Sequence, residues 1–318
     1  MNVCRRLISA AAAATVTALG AATLTACGGD ATAAPTGRFD VVASFYPMAF
    51  LADRIGGSHV HVTSLTSPGQ EPHDLEISPR QIIGIEKSDA VLYLKNLQPS
   101  VDDAVAQSSV GTKIDAASLT TLEQHGNEVG GHAAAHDASR NEEASGLDPH
   151  IWLDPVRYAQ VAEGVGKAFE KADPDHAADY RKNTAALVGE LDDLNTRFKD
   201  GLANTRTKVF ITTHAAFGYL AERYGLTEEA INGLDPESEP SVARVKDLET
   251  MARADGVSTV FYETLVSDKT ARTVATDAGL RTDVLDPIEG ITGKSRGKDY
   301  FAVQEANLKA LQKALGAK

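Results

Sequence analysis

The feature that most constrains the fold is one long helical pattern with a similar series of short segments on either side of it. Across residues 175–205 the apolar residues recur at spacings of three, four and seven, with no internal proline. At ~1.5 Å rise per residue such a helix would extend ~40 Å or more, long enough to cross from one lobe of a protein to another. A helix-start signal, Asp-Pro, precedes it, so we interpret residues 173–205 as a linker helix.

Short β-rich runs alternate with helical runs on both sides of this linker. Alternation of this kind is typical of α/β proteins with parallel sheets. We therefore predict two lobes, each a mostly parallel sheet flanked by helices, at residues 39–172 and 206–318. Within the second lobe, residues 231–234 form one of the predicted strands.

The beginning of the chain has the pattern of an export signal. Residues 1–26 combine a basic start with an apolar run that contains no acids and ends in small residues. Residues 24–27, Leu-Thr-Ala-Cys, resemble a bacterial lipobox, so Cys27 is the predicted lipidated first residue of the mature chain. The alternative is a membrane-spanning anchor, but the apolar run is short and diluted with threonine and glycine. Residues 27–38 are small and polar and predict a flexible tether.

Charge and cysteine content exclude some classes of protein. The formal net charge is −13, and removing the predicted signal peptide makes the chain more negative, so we expect no nucleic-acid partner. Of the two cysteines, Cys4 leaves with the signal peptide and Cys27 would carry the lipid. We therefore expect no disulfide, even in an oxidising compartment.

Three histidines and one carboxylate occupy places that favour ligand binding. His73 lies in a proline- and glycine-rich loop after a predicted strand, and His214 and Asp286 each follow another strand. His150 lies within residues 148–155, which Asp-Pro pairs at both ends hold out of a regular helix. Each histidine alone is as well explained by a structural role. If all four side chains converged, three imidazoles and one carboxylate would suit Zn²⁺ in tetrahedral geometry.

A further group of histidines lies in a stretch without apolar periodicity. Residues 120–146 contain His125, His132 and His136 among small and acidic residues, which predicts a flexible loop. These histidines could hold a metal ion transiently. The alternative is a solvated linker that happens to contain histidines.

The three histidines lie in the segments Gln-Glu-Pro-His-Asp-Leu-Glu at 70–76, Asp-Pro-His-Ile-Trp-Leu-Asp-Pro at 148–155 and Thr-His-Ala-Ala-Phe-Gly-Tyr at 213–219. Together these segments resemble the metal-specific solute-binding proteins of bacterial ABC importers, the zinc and manganese receptor group. This resemblance covers essentially the whole mature chain. It implies two α/β lobes joined by one rigid helix, with the metal in the cleft between them and a modest closing motion.

The resemblance also implies which metal is bound and by which residues. Zinc receptors have histidine at the position of His214, whereas manganese receptors tend to have glutamate there. Zinc receptors also have a loop rich in histidine and acids where this chain has residues 125–136, although the loop here is short and poorer in histidine. We therefore predict Zn²⁺ as the transported ligand, with Mn²⁺ as the alternative. Asp286 matches an aspartate ligand of some members, whereas others leave that position to water, and Glu71 is a further alternative. Glu263 is expected to support the cleft by hydrogen bonding.

The predicted function is that of an extracytoplasmic, high-affinity zinc receptor that delivers Zn²⁺ to an ABC permease. We expect a monomer held at the cell membrane by the lipid on Cys27, and no enzyme activity. A manganese receptor, a zinc hydrolase and an adhesin are the alternatives. Three histidines and a water also form a catalytic zinc site, but the sequence has no His-Glu-x-x-His motif, and Asp286 would fill the open position. Because imidazole binds metal only when neutral, affinity should fall as the pH drops.

Overall fold

The computed structural model describes residues 37–125 and 146–317, and these contain two four-stranded sheets in which every pairing is parallel. The first sheet, in spatial order β2-β1-β3-β4, consists of β1 (Phe39–Ala43), β2 (Val60–Ser64), β3 (Ala90–Tyr93) and β4 (Thr112–Asp115). The second, in order β6-β5-β7-β8, consists of β5 (Val209–Thr212), β6 (Thr227–Ala230), β7 (Thr259–Tyr262) and β8 (Arg281–Val284). The predicted α/β class with two parallel sheets is confirmed.

The helices of the described chain cover these sheets and connect them. They are α1 (Tyr46–Gly56), α2 (Pro79–Lys87), α3 (Pro99–Gln107), α4 (Pro155–Ala172), α5 (Ala177–Leu202), α6 (Gly218–Tyr224), α7 (Val242–Ala254), α8 (Lys269–Ala278) and α9 (Tyr300–Leu315). Local sequence fixes where several of them begin. Ser78 and Gln81 form a capping box ahead of α2, and the Asp154 side chain accepts from the Val156 N–H at the start of α4. A proline opens each of these two helices.

The long helix α5 joins the two sheets through one continuous core. Its 26 residues span roughly 39 Å at 1.5 Å per residue. It packs against α1 and α4 from the first half of the chain and against α6 and α9 from the second. Its buried side chains belong to the same apolar cluster as residues of both sheets. The predicted linker helix is confirmed, and it stabilises the two halves by burying apolar surface from each.

Each sheet is covered on both faces, as parallel sheets usually are. Because side chains alternate along a strand, Val41 faces the shared core and Val42 faces a separate cluster beneath α2 and α3. In the second sheet, Phe261 faces the shared core and Val260 faces α7 and α8. The inner faces therefore meet around α5 and leave the carboxyl ends of the strands free to carry the loops of a site.

One predicted strand was wrong. The strand expected at 231–234 lies four residues earlier, at Thr227–Ala230, where the sequence Thr-Glu-Glu-Ala has no apolar pattern. Both glutamates are nevertheless buried. Glu228 accepts from Thr212 Oγ1 at 2.7 Å, and Glu229 forms a 3.0 Å ion pair with an arginine of α7. Burial raises the pKa of Glu228 to about 7. Partners from neighbouring elements, rather than local propensity, therefore select this strand.

Several predictions concern the remainder of the chain. The signal peptide, residues 27–36 of the tether, Cys27, His132 and His136 lie outside the described residues. Within residues 37–125 and 146–317, no helix is long and apolar enough to cross a membrane.

Candidate metal site

The structure brings together the three histidines singled out in the sequence. His73 lies in the loop after β2, His214 follows β5, and His150 precedes a 3-10 turn at Ile151–Leu153 that leads into α4. Their ring centroids are separated by 5.4 Å between His73 and His150, 5.9 Å between His73 and His214, and 5.3 Å between His150 and His214. Three separate segments, two from the first half of the chain and one from the second, thus meet at one point.

The fourth member of this group is Glu289, which follows β8. Its Oε1 atom lies 3.2 Å from His73 Nε2, 3.5 Å from His150 Nε2 and 3.6 Å from His214 Nε2. The four side chains can offer ligand atoms that all lie within 4.8 Å of one another. We call His73, His150, His214 and Glu289 the central cluster. Asp286, the carboxylate predicted for this position, is not a member of it, so that prediction is corrected.

Asp286 instead stabilises the turn that presents Glu289. Its carboxylate accepts from Thr264 Oγ1 at 2.9 Å and from the Ile288 N–H at 2.8 Å, and its main chain exchanges two hydrogen bonds with the Asn307 side chain. Ile288 has a left-handed φ of 61°, which is unfavourable for a β-branched residue. The aspartate is therefore committed to holding a strained turn, and the carboxylate that faces the three histidines lies three residues later.

A buried carboxylate fixes the orientation of His150. Asp148 Oδ1 accepts from His150 Nδ1 at 2.7 Å and from the His150 backbone N–H at 2.9 Å. Because a carboxylate only accepts, Nδ1 carries the proton, and Nε2 is the nitrogen turned toward the centre. The other oxygen, Oδ2, lies 2.9 Å from His125 Nδ1. Burial alone would raise the pKa of Asp148, but these bonds outweigh it and lower that pKa.

His214 has an equivalent partner in Glu263. Glu263 Oε1 lies 2.9 Å from His214 Nδ1 and accepts from Thr213 Oγ1 at 2.7 Å. We predicted a hydrogen-bonding role for Glu263, and in the structure its partners are these two neighbouring residues. His214 therefore also directs Nε2 to the centre, where it lies 3.4 Å from His150 Nε2.

The pKa shifts in the central cluster all favour positive charge on its histidines and negative charge on its glutamate. Burial would lower the pKa of His150, but hydrogen bonds to Asp148 and Glu289 raise it to about 9. The pKa of His214 is likewise raised against burial, chiefly by Glu263. Burial would raise the pKa of Glu289, and its bonds to the three histidines lower it instead. A histidine that donates from Nδ1 needs a second proton to donate from Nε2, and a divalent cation can take the place of these protons.

Three glutamates in or near the central cluster each carry an unpaired buried oxygen. Among the described residues, Glu71, Glu263 and Glu289 each have one buried Oε2 atom without a hydrogen-bond partner. Glu71 Oε1 accepts from the His73 backbone N–H at 3.0 Å, and burial, with the nearby Glu289, raises the pKa of Glu71 to about 8. Leaving buried acceptors unpaired is costly, so this arrangement favours a cation nearby.

Three imidazole nitrogens and one carboxylate oxygen form a donor set that suits Zn²⁺ in tetrahedral geometry. His150 and Glu289 are fully buried and His214 is 2% exposed. The arrangement can therefore hold an ion out of water on all sides but that of His73. Sequence reasoning missed Glu289; the only local signal was an acidic residue just after Asp286-Pro287.

Known sequences similar to this chain include zinc-binding proteins. AdcA of Streptococcus pneumoniae, a zinc-binding lipoprotein, is 32% identical over 282 residues, which cover 87% of this chain and 56% of AdcA. The chain thus spans about half the length of the first curated relatives it matches. ZnuA of Bacillus subtilis, a high-affinity zinc uptake system protein, is 31% identical over 287 residues, covering 87% of this chain and 88% of that protein.

Solved structures agree with this fold. The Zn(II)-bound ZnuA-like domain of Streptococcus pneumoniae AdcA superposes with a TM-score of 0.72 at 32% identity, covering 88% of this chain and 99% of that one. The laminin-binding protein Lmb of Streptococcus agalactiae, described as bifunctional with adhesin and metal-transporting activity, gives 0.76 at 29% identity, covering 87% and 99%. Residues 41–314 match the family described as ZnuA, zinc-uptake complex component A, periplasmic. The chain therefore belongs to the ZnuA family.

Proposed function

We propose that this chain is an extracytoplasmic zinc receptor that binds Zn²⁺ with high affinity and delivers it to an ABC permease for import. The observation that carries the proposal is the convergence of three histidine Nε2 atoms on one Glu289 oxygen in a buried setting. Zinc-binding names among the relatives, which this chain matches over 87% of its own length, support it.

The donor set supports zinc over manganese. Imidazole nitrogen suits zinc, whereas manganese prefers carboxylate, carbonyl and water oxygens. His214 supplies nitrogen where a manganese site would favour oxygen, and its Nδ1 bond to Glu263 holds the ring for that purpose. The same geometry disfavours a zinc hydrolase, because Glu289 occupies the fourth position that a catalytic water would need.

Delivery to a permease requires that the receptor stay outside the cytoplasm and close to the membrane. We propose that the lipid on Cys27 provides this anchor and that the chain acts as a monomer. The family description, a periplasmic component of a zinc-uptake complex, supports a transport partner. We propose lobes at residues 39–172 and 206–318, joined by a linker at 173–205, with the central cluster between the two lobes.

An adhesive role is the second candidate function. The likeness to Lmb supports it, and binding of the purified protein to immobilised laminin would test it.

Metal analysis tests the zinc assignment directly. The purified protein is dialysed against equal Zn²⁺ and Mn²⁺ and then against metal-free buffer, and its metal content is measured. We expect about one retained zinc per chain, lost in His214→Ala because one of four ligands is gone. His61→Ala is the matched control, since His61 lies on β2 with its side chain 47% exposed. Retained manganese would reassign the receptor to that metal, and no retained metal would refute the proposal.

A further inference from the structure

A second cluster of metal-ligating side chains lies outside the central cluster. Glu123, His125 and Glu222 can offer ligand atoms within 4.8 Å of one another. We call these three residues the outer cluster. They line a cavity of about 480 Å³ between residues 123–125 and α6, which leaves room for a cation with part of its water shell.

The outer cluster repeats the hydrogen-bonding plan of the central one. Asp148 uses Oδ1 for His150 Nδ1 and Oδ2 for His125 Nδ1, so one buried carboxylate orients a histidine in each cluster. In the central cluster His150 Nε2 then faces a Glu289 oxygen at 3.5 Å. In the outer cluster His125 Nε2 faces a Glu222 oxygen at 3.6 Å. A proton on the ring nitrogen, or a cation bound by both atoms, would make this pairing of a nitrogen and a carboxylate oxygen favourable.

Local packing holds His125 in this position. The Tyr219 hydroxyl donates to the Asp148 carbonyl at 2.8 Å and accepts from the Glu123 N–H at 2.8 Å. The His125 ring packs edge-on against the Tyr219 ring with centroids 4.5 Å apart. A Cβ at Gly218 would lie 2.5 Å from His125 Cβ, so a side chain there would displace the histidine. Accordingly, the His125 side chain is only 11% exposed.

The charges of the outer cluster favour a cation but less strongly than those of the central one. Arg157 contacts Glu123 directly, lies 3.8 Å from Glu222 and covers the Tyr219 ring at 4.4 Å. It therefore offsets part of the negative charge of the two glutamates. The Glu222 side chain is also 54% exposed, so water competes for its oxygens.

We propose that Glu123, His125 and Glu222 form a second, weaker Zn²⁺ site that is linked to the central cluster through Asp148. It has one nitrogen and two oxygen donors and completes its coordination with water. This site is independent of the proposed receptor function, because it requires only the outer ligands and the histidine orientation that Asp148 imposes.

Calorimetric titration of the purified protein with Zn²⁺ alone tests the proposal. The unmodified protein should show a tight step and a weaker one. Glu222→Gln should leave the tight step unchanged and weaken the second step by ~10-fold or more. Loss of a residue that only hydrogen-bonds to a metal ligand already lowers affinity ~10- to 100-fold, and Glu222 is a proposed ligand itself. Glu239→Gln is the matched control, because Glu239 is an exposed glutamate that does not line the cavity. A second step unchanged in Glu222→Gln, or no second step in the unmodified protein, would overturn the proposal.

Two more variants separate the possible sources of a second step. A His132→Ala/His136→Ala double variant should keep it, because neither residue belongs to the outer cluster. If that variant abolishes the step, the weaker metal belongs to residues 126–145 and the proposal is wrong. His214→Ala should lose the tight step and keep the weak one. Loss of the weak step alone in Glu222→Gln therefore supports the outer site whatever becomes of the receptor proposal.

Discussion

The central and outer clusters share one carboxylate and differ in nearly everything else. Around Asp148, the central cluster assembles three histidines and a fully buried glutamate, whereas the outer cluster has one histidine and two partly exposed glutamates. In the outer cluster, Arg157 also offsets part of the negative charge of the two glutamates. We therefore expect the two clusters to bind metal with different affinity although both contain an oriented histidine. The number of donors and the exclusion of water should make the central cluster the tighter site.

The largest effect should come from the glutamate that distinguishes the central cluster. Glu289→Gln removes the negative charge of the carboxylate that faces the three histidines, so Zn²⁺ affinity should fall by more than ~100-fold. This exceeds the ~10- to 100-fold loss that follows removal of a residue that only hydrogen-bonds to a metal ligand. Asp286→Asn should cost less, because Asp286 acts only through the turn. Competition titration with a chelator measures both. Equal losses, or a larger loss for Asp286→Asn, would return Asp286 to the ligand set.

The pH dependence should be steeper for the central cluster. Its His150 has a pKa of about 9 and that of His214 is also raised, so metal must displace these protons at neutral pH. A raised pKa keeps the competing proton bound below that value. Affinity should therefore rise with pH, by ~10-fold per unit for each displaced proton, and the contribution of His150 should level off above about 9. The outer cluster has one histidine and can release at most one proton.

Calorimetry in buffers of different ionisation enthalpy, from about pH 6 to about pH 9, counts these protons. The two steps of the titration should differ in proton release, with more from the tight step. Equal release from both steps would contradict the assignment of the tight step to the three-histidine cluster.

Changing the shared carboxylate should affect both clusters. Asp148→Asn keeps the shape of the side chain but removes its charge, and we expect a ~10- to 100-fold loss of affinity in the central cluster with a smaller loss in the outer one. Asp115→Asn is a control in the same half of the chain, since Asp115 accepts from the backbone N–H groups of Ala117 and Lys95 and belongs to neither cluster. Zinc calorimetry reports both steps. A change confined to the central step would break the link we infer through Asp148.

The smallest effect should come from salt. Raising ionic strength from ~0.05 M to ~0.5 M should weaken the outer step a few-fold and leave the central step nearly unchanged, because buried charges are screened much less than exposed ones. Titration at both salt concentrations measures this. The comparison would fail if salt weakened the central step more than the outer one.

Much of the architecture was predictable because it follows from local patterns. Alternating β-rich and helical runs predicted two parallel sheets, and the uninterrupted apolar repeat predicted α5. The histidines were found because each follows a strand or lies between helix-breaking prolines. The strand at Thr227–Ala230 was missed since its buried glutamates are stabilised by partners that are remote in sequence.

The fourth member of the central cluster shows the other limit of sequence reasoning. Asp286 has the position expected of a ligand, but hydrogen bonds to Thr264 and Asn307 commit it to the turn. The chain then passes through a left-handed Ile288 before Glu289 reaches the histidines. No propensity predicts a left-handed isoleucine, because the surrounding hydrogen bonds impose it. The pairing of His125 with Asp148 likewise appears only once both segments are packed.

Trp152 connects the segment that carries His150 to the turn that carries Glu289. It is the only tryptophan in the sequence and is fully buried. The Trp152 indole Nε1 donates to the Pro287 carbonyl at 2.7 Å. The Trp152 backbone carbonyl accepts from the Tyr300 hydroxyl at 2.6 Å. If these two segments separate during uptake or release of metal, the hydrogen bond from the Trp152 indole to the Pro287 carbonyl must lengthen, and water can then reach the ring. The intrinsic fluorescence of Trp152 should therefore report opening without any label, because its emission should shift to longer wavelength when water reaches the ring.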